Sequence, residues 1–200
     1  MKLYDPDIRK ILYNKFLDTK EFYSDDSTMV INEMNVCGGV SRVDIAVING
    51  KLHGYEIKSE QDTLERLPMQ MDSYNKIFDK MTIVTGEKYI NKVEEIVPEW
   101  WGIYYVSTKK NEIELKRKRA GRINRDVDIL QITQLLWKDE LIELLNIHGI
   151  NKGIKSKTRF ALCQIVIDNI DYEAIKLFVN LKLKARPTWR AVHLQELCGD

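Results

Sequence analysis

A strand–turn–strand segment at residues 41–59 decides the fold. It reads Ser41-Arg42-Val43-Asp44-Ile45-Ala46-Val47-Ile48-Asn49-Gly50-Lys51-Leu52-His53-Gly54-Tyr55-Glu56-Ile57-Lys58-Ser59. Both halves are rich in β-branched and apolar residues, and Asn49-Gly50 between them is the strongest short-range signal for a β-hairpin. The segment therefore predicts two antiparallel strands.

Three charged residues interrupt the apolar pattern of this hairpin, namely Asp44, Glu56 and Lys58. Buried charges are costly unless they pair with one another or bind a metal. Carboxylate oxygens can hold Mg²⁺ or Mn²⁺, and a bound metal lowers the pKa of a water molecule. A neighbouring lysine can stabilise the charge that develops on a phosphate. The three residues therefore indicate a site suited to a divalent metal and a phosphate.

The length of the turn decides whether Asp44 joins the other two charges. Glu56 and Lys58 are two positions apart and share one face of their strand. A two-residue loop at Asn49-Gly50 would put Asp44 on the opposite face. A three-residue loop with a bulge at Gly50, or a bulge near Gly54, shifts the register by one residue. We predict the bulged form, in which all three charges share a face.

The elements around the hairpin indicate an α/β protein with a mixed central sheet flanked by helices. A first helix is predicted at Asp5-Pro6, because a capping residue precedes a proline suited to the first turn. Residues 28–36 could form a helix or a strand. The other predictions are a helix over 62–79, a strand over 81–85, a helix over 89–97, an edge hairpin over 103–107 and 112–116, and an all-helical C-terminal appendage from about residue 126.

Charge is distributed unevenly along the 200-residue chain, although its formal net charge is only +1. Acidic residues are in excess before residue 109, and basic residues are in excess after it. The densest run of cations, the basic strip, covers residues 116–125 and reads Lys116-Arg117-Lys118-Arg119-Ala120-Gly121-Arg122-Ile123-Asn124-Arg125. Such a run is either a nucleic-acid contact or a solvated linker. We place a domain boundary here, between residues 1–117 and residues 118–200.

The spacing of the charged residues resembles a known nuclease signature. Asp44 is followed twelve positions later by Glu56-Ile57-Lys58, and Gln70-Met71-Asp72-Ser73-Tyr74 lies in the next predicted helix. These motifs resemble the D–(D/E)-x-K and Q-x-x-x-Y signatures of the PD-(D/E)XK nuclease superfamily, in its RecB-like and lambda-exonuclease-like branch. The chain departs from the signature at Val43, where a proline would stand. The residue sequence around these motifs also resembles that of a group of bacterial and phage proteins in this superfamily with poorly defined roles.

The resemblance implies a restriction-endonuclease-like fold and Mg²⁺- or Mn²⁺-dependent cleavage of phosphodiester bonds. The metal ligands that it implies are Glu33, Asp44, Glu56 and the backbone carbonyl of Ile57. Lys58 would position the attacking water, and Gln70 would support the lysine or the phosphate. The implied catalytic residues are therefore Asp44, Glu56, Lys58 and Gln70.

Cations near the hairpin, in the basic strip and in the C-terminal part predict a nucleic-acid surface. Residues 139–162 resemble the SAP-type helix–extended-turn–helix DNA-binding motif, and a plain helical hairpin is the alternative. Anions are favoured at the amino end of the second helix of such a motif. The predicted nucleic-acid-binding residues are Arg42, Arg66, Tyr74, Lys116, Arg117, Lys118, Arg119, Arg122, Lys155, Lys157 and Arg159.

The composition, with 44% hydrophobic and 30% charged residues, is that of an ordinary globular protein. No stretch approaches the ~18 apolar residues of a membrane span, and the three separated cysteines fit a reducing cytoplasm. We therefore expect a cytoplasmic, metal-dependent nuclease that acts on DNA rather than RNA and has no membrane partner. The alternative is a nucleic-acid-binding or accessory protein of nuclease fold without independent turnover. The sequence leaves open whether the chain acts alone, as a homodimer or with a partner protein.

Overall fold

The computed structural model describes residues 4–109, 112–186 and 191–193, which form one sheet with helices on both sides. The helices are α1 (Asp5–Leu17), α2 (Lys20–Tyr23), α3 (Leu67–Asn75), α4 (Ile90–Ile96), α5 (Ile129–Thr133), α6 (Lys138–Ile147), α7 (Arg159–Asn169) and α8 (Tyr172–Ala185). The strands are β1 (Met29–Val36), β2 (Ser41–Ile48), β3 (Leu52–Lys58), β4 (Lys80–Gly86), β5 (Gly102–Lys109), β6 (Glu112–Arg119) and β7 (Ala191–His193). Within these ranges no helix combines the length and the apolar character needed to cross a membrane.

The strands lie in the order β6-β5-β4-β3-β2-β1-β7. Strand β3 runs parallel to β4, and β4 runs parallel to β5, whereas the other neighbouring pairs are antiparallel. Parallel neighbours need a crossover connection, and α3 and α4 lie in the two crossovers. Strand β3 therefore borders both the antiparallel half of the sheet and its parallel half.

The register of the hairpin confirms the predicted three-residue loop. Ile48 pairs with Leu52, so the loop consists of Asn49, Gly50 and Lys51. Gly50 has a φ of 91°, a backbone conformation that favours glycine. The same register, continued beyond the last paired residues, brings Asp44 opposite Glu56.

Each side of the sheet is covered by its own group of apolar residues. On one side, α1 buries Ile8, Leu12 and Phe16, and the Phe16 ring lies 4.7 Å from the Tyr55 ring between centroids. On the other side, α3 and the C-terminal helices form one continuous core with the strands. The predicted mixed sheet, its flanking helices and the helical C-terminal region are thereby confirmed.

Some elements differ in extent or type from their predictions. The helix predicted over 62–79 is shorter, because Pro68 fits only the first turn of α3. Asp62 instead closes a turn, where its carboxylate accepts the Ser59 N–H at 2.8 Å. The ambiguous segment at 28–36 forms strand β1, and the C-terminal region adds the short strand β7, which pairs with β1.

The C-terminal helices are joined to the sheet by polar contacts as well as by the shared core. The side-chain amide of Asn180, in α8, donates to the carbonyl oxygen of Gly50 at 3.1 Å. Asn124, within the basic strip, donates to the carbonyl oxygen of Phe78 at 3.1 Å. The residues that follow β6 are therefore attached to the sheet on the side that carries α3.

Candidate metal and nucleic-acid site

The candidate site lies where β2 and β3 stop pairing. Their last paired residues are Ile45 and Tyr55. Beyond this point the carboxylate of Asp44 accepts the backbone N–H of Ile57 through Oδ2 at 2.7 Å. The side chain thus satisfies a backbone donor near the end of the ladder, and it is held beside the carboxyl end of β3.

Glu56 occupies the centre of a buried hydrogen-bond network. Its Oε1 accepts from Lys58 Nζ at 2.7 Å and from Gln70 Nε2 at 2.6 Å. Its Oε2 lies 2.8 Å from the Tyr74 hydroxyl. Lys58 Nζ also donates to Gln70 Oε1 at 2.9 Å. The ammonium therefore has two protein acceptors and one N–H left for a water or a phosphate oxygen.

Helix α3 supplies the second half of this network. Gln70 and Tyr74 are four residues apart, so they share one helical face. The helix is fixed to β2 by a hydrogen bond between the Ser41 and Ser73 hydroxyls at 2.8 Å. Tyr74 is fully buried and stacks on Trp101, with 6.2 Å between ring centroids. Its ring thus belongs to the core, and only its hydroxyl serves the site.

The two carboxylates carry negative charge that the surrounding protein incompletely neutralises. Burial, with the charge of Glu56 as a further cause, raises the pKa of Asp44 to about 7. Burial also raises the pKa of Glu56, although the Lys58 ammonium opposes that effect. Both shifts express the cost of holding ionised carboxylates together in a low-dielectric environment. A cation bound between them would relieve that cost.

Glu33 lies beside Asp44 but is directed to two arginines. Its φ is 55°, which is unusual for a residue other than glycine. Its carboxylate pairs with Arg9 and, at 2.8 Å, with Arg42 Nε. In β2, Ile45 packs on the α1 side, whereas both Val43 and Ala46 pack on the α3 side. Successive side chains of β2 normally alternate between the two sides of the sheet, and this alternation is offset by one residue at Asp44, opposite Glu33.

Arg9, in α1, is a member of the site that the sequence did not identify. It donates to the backbone oxygen of Asp44 at 2.9 Å and lies 3.4 Å from Asp44 Oδ1. It also pairs with Asp5 and with Glu33. Burial opposes the charge of Arg9, but these carboxylates together raise its pKa. The sequence offers little signal for this role, because Asp5 and Arg9 read as an ordinary i,i+4 pair on a helix surface.

The donor set fits one divalent cation held by Asp44 and Glu56. The half-buried carboxylate of Asp44 and the buried carboxylate of Glu56 supply the hard oxygen ligands that Mg²⁺ and Mn²⁺ prefer, and waters would complete the shell. Glu33 does not converge with them, because Arg9 and Arg42 bind its oxygens. Across the described ranges no three His, Cys, Asp or Glu side chains are grouped as a metal site. Ile57, the remaining predicted ligand, lines the groove beside the two carboxylates.

The site opens into a groove of about 1000 Å³, which we call the catalytic groove after the role that the sequence predicts for its residues. Its floor contains Asp44, Glu56, Lys58 and Gln70, the four residues that the sequence predicted as catalytic. Arg42 and Arg66, two of the residues predicted to contact nucleic acid, also line it. Exposed apolar side chains form part of its rim, and these are Tyr4, Val40 and Met69.

The structure disperses the predicted cations of the basic strip. Strand β6 is separated from β3 by β4 and β5. Lys116 pairs with Glu114 at 3.1 Å, and Lys118 pairs with Glu94 at 3.4 Å. Arg119 donates to the carbonyl oxygens of Trp101 and Pro98. The remaining two, Arg117 and Arg122, are exposed and lie outside the catalytic groove.

The predicted cations of the C-terminal part lie on the connection between α6 and α7. Lys155 and Lys157 are exposed in the turn that precedes α7. Arg159 begins α7 and donates to the carbonyl oxygens of Leu136 and Gln134 after α5. The turn is fixed by Ile154, which is 2% exposed. These cations are therefore presented on a rigid element, away from the carboxylates.

Comparison with known proteins gives three findings. The profile of the family described as "Bacteriophage P4 protein cII" matches residues 1–194. A curated relative, "Protein cII" of Enterobacteria phage P4, is 29% identical over 177 residues, which cover 88% of this chain. The chain spans 66% of the length of that relative. A solved structure, "SPO1766 protein of unknown function from Silicibacter pomeroyi", superposes with a TM-score of 0.40 and 15% identity over 58% of this chain and 70% of that chain.

Proposed function

This chain belongs to the bacteriophage P4 protein cII family, and we propose that it is a metal-dependent nuclease that hydrolyses phosphodiester bonds in DNA. One observation carries the proposal. A buried glutamate, Glu56, is bound by a lysine, a glutamine and a tyrosine next to a second, half-buried carboxylate, that of Asp44. The constellation resembles the arrangement that the PD-(D/E)XK nuclease superfamily uses.

In this proposal Asp44 and Glu56 hold the divalent cation. When bound, the cation would lower the pKa of a water molecule and neutralise charge on the scissile phosphate. The N–H of Ile57 fixes the orientation of the Asp44 carboxylate, and the Tyr74 hydroxyl fixes that of Glu56. Both carboxylates are therefore preorganised, so that little reorganisation is needed when substrate binds.

Lys58 and Gln70 act on the attacking water and the phosphate. Lys58 has one N–H that is not used by Glu56 or Gln70, and it lines the catalytic groove. That donor can hold the water or stabilise the charge that develops on a phosphate oxygen. Gln70 keeps the lysine in place, because its Oε1 accepts a hydrogen bond from Lys58 Nζ at 2.9 Å. Arg42 and Arg66, on the wall of the groove, can position the DNA backbone.

A nucleic-acid-binding protein without independent turnover is the second candidate. The contact of Arg9 with Asp44 and Glu33 favours it, because a guanidinium already neutralises part of the acidic charge. In such a protein the groove would bind DNA, and cutting would require a partner that displaces Arg9.

Cleavage of labelled single- and double-stranded DNA tests the proposal. The wild-type chain is expected to cut in Mg²⁺ or Mn²⁺ and to lose all activity in EDTA. Asp44→Asn is expected to lower the rate by about 10²–10³-fold, since it removes a preorganised charge from the reacting centre. Asp72→Asn is the matched control, because Asp72 is an exposed acid on α3 that pairs with Lys76 at 2.8 Å and does not line the catalytic groove among the described residues.

The outcomes separate the two candidates. Cleavage that survives EDTA, or that Asp44→Asn leaves intact, contradicts the nuclease assignment to this site. DNA binding without cleavage in either metal supports the second candidate. Circular dichroism of each variant shows that a lost activity does not reflect lost folding.

A further inference from the structure

A second groove lies next to the catalytic groove. It has a volume of about 530 Å³ and is bordered by the turn after β1 and by the amino ends of α6 and α7. Both grooves are lined by Asn35 and Gly39, so they meet along one edge. We call it the Trp137 groove after the largest side chain in its wall.

The ridge between the two grooves is low, because glycines build it. Gly38 and Gly39 have φ values of 67° and 92°, which other residues adopt only with strain. A Cβ at either position would meet no atom within 4 Å, so the space above the ridge is open. At Gly38 and Gly39, therefore, no side chain rises between the two grooves, which leaves room for a flexible chain to pass from one to the other.

The charge of the Trp137 groove is opposite to that of the catalytic groove. Its charged lining residues are Lys138, Arg159 and Arg186, and no carboxylate lines it among the residues that the structure describes. Arg159 uses two donors on backbone carbonyls and retains others. Lys138 is exposed at the start of α6. The groove thus offers cations to an anionic chain.

Trp137 is exposed but held rigidly. It is 47% exposed, and the guanidinium of Arg186 lies 4.3 Å from its ring centroid. Arg186 is itself buried and bound to Glu140, with 3.0 Å between Nε and Oε1. Glu140 also caps α6 by accepting the Trp137 N–H at 2.6 Å. One face of the indole is therefore fixed from behind, while the residue stays accessible to a ligand.

We infer that the Trp137 groove binds single-stranded DNA as it leaves the catalytic groove. An unpaired base stacks on Trp137, and backbone phosphates contact Lys138 and Arg159. An aromatic platform beside cations is the combination that binds single strands without sequence preference. A base inside a duplex has no free face to offer, so the platform selects an unpaired strand. The inference rests on the proposed function for what occupies the catalytic groove.

Binding of labelled oligothymidylates of about 4 and about 12 nucleotides, in Ca²⁺, tests the groove. For the longer strand, Trp137→Ala is expected to weaken binding about tenfold, and Trp137→Phe to restore most of that loss. The shorter strand fits the catalytic groove alone, so its affinity should not change. Lys138→Ala should weaken binding of the longer strand and make it less sensitive to salt.

Two matched variants serve as controls. Phe160→Ala removes another exposed aromatic, 57% exposed on α7 but outside the groove, and Lys92→Ala removes an exposed cation on α4. Neither should change the affinity. An equal loss in Phe160→Ala, an unchanged affinity in Trp137→Ala, or an equally Trp137-dependent binding of duplex would overturn the inference.

The same samples separate this inference from the proposed function. Binding that depends on Trp137 in a protein that cuts no DNA in Mg²⁺ or Mn²⁺ supports the groove and contradicts the nuclease. Cleavage with no dependence of binding on Trp137 contradicts the groove and leaves the nuclease standing.

Discussion

Two regions of the chain stand out in the sequence by their charged residues: the hairpin of β2 and β3, and the basic strip. In the structure the hairpin charges of Asp44, Glu56 and Lys58 are buried or half-buried, whereas those of the strip lie at or near the surface. In the hairpin, Glu56 and Lys58 are 2% and 7% exposed and bind each other and α3. In the strip, Lys116 and Lys118 are exposed on the edge strand β6, where each pairs with a nearby glutamate. Charged residues are denser in the strip, yet it is Glu56 and Lys58 of the hairpin that are buried and bound to defined partners.

The difference shows which kind of charge carries information about a site. A charged residue within an apolar strand pattern must be satisfied inside the protein, so its partners are fixed. A charge on a polar strand can be satisfied by water, so it constrains little. The following experiments test that contrast, beginning with the largest expected effect.

Removal of a single charge should affect stability far more in the hairpin than in the strip. Lys58→Met leaves Glu56 buried without its cation and is expected to cost about 3–5 kcal/mol of unfolding free energy. Lys118→Met breaks an exposed pair and should cost under about 0.5 kcal/mol. Urea unfolding measures both.

The double variant Glu56→Gln/Lys58→Met distinguishes an unpaired charge from a lost contact. It should recover much of the stability lost in Lys58→Met, because no buried charge is then left unpaired. A double variant as unstable as the single one would contradict this account, and the contrast between the two regions would then reflect packing alone.

The packing beneath the hairpin sets the next largest effect. A Cβ at Gly54 would overlap Met81 Sδ and lie 3.0 Å from Phe78 Cγ. Gly54→Ala is therefore expected to destabilise the protein by about 1–3 kcal/mol through overpacking. Gly50→Ala meets no neighbouring atom but has a positive φ, and should cost about 1 kcal/mol. Thermal unfolding in which Gly50→Ala is the worse variant would contradict the prediction.

An arginine beside the hairpin carboxylates, Arg9, can be compared with an arginine of the basic strip, Arg117. The guanidinium of Arg9 occupies the acidic site, so Arg9→Gln should free Asp44 and Glu33 and tighten Mn²⁺ binding several-fold. Arg117→Gln, the matched change in the strip, should leave Mn²⁺ binding unchanged. Isothermal titration measures both affinities. Weaker Mn²⁺ binding in Arg9→Gln would instead mean that Arg9 orders the carboxylates for the metal.

The smallest effect concerns the salt dependence of DNA binding. A cation that contacts a phosphate contributes about 0.9 to the slope of log affinity against log salt concentration. Arg42→Ala, in the catalytic groove, should lower that slope by about one, whereas Lys118→Ala should leave it unchanged. Fluorescence anisotropy over a salt series measures both slopes. A larger change in Lys118→Ala than in Arg42→Ala would show that the basic strip contacts DNA.

Much of the hairpin could be predicted from the sequence, because its signals are local. Asn49-Gly50 defined the turn, and the requirement that Asp44 and Glu56 share a face selected the three-residue loop that the structure contains. Gln70 and Tyr74 were identified by the resemblance to the Q-x-x-x-Y motif, and their helical spacing explains why they share a face. All of these positions lie within one hairpin and the helix after it.

The rest depends on contacts that sequence spacing does not report. Arg9 reaches Asp44 across 35 residues of chain, and nothing in α1 distinguishes it from a surface arginine. The ion pairs of Glu33 with Arg9 and Arg42 likewise could not be predicted, because they depend on how β1, α1 and β2 lie relative to one another. The position of Trp137 in the sequence gives no sign of its role, because its support by Arg186 comes from the far end of α8.

The position of β6 gives its charges a consequence for self-association. It is the last strand on one side of the sheet, so one row of its backbone donors and acceptors has no strand partner within the described chain. Such an open edge can recruit a strand from another molecule and begin aggregation. Charged side chains on an edge strand oppose such pairing, because they must lose water before another strand can approach, and β6 carries Glu114, Lys116, Arg117, Lys118 and Arg119. The charged residues of β6 thereby disfavour the addition of a foreign strand at this edge of the sheet.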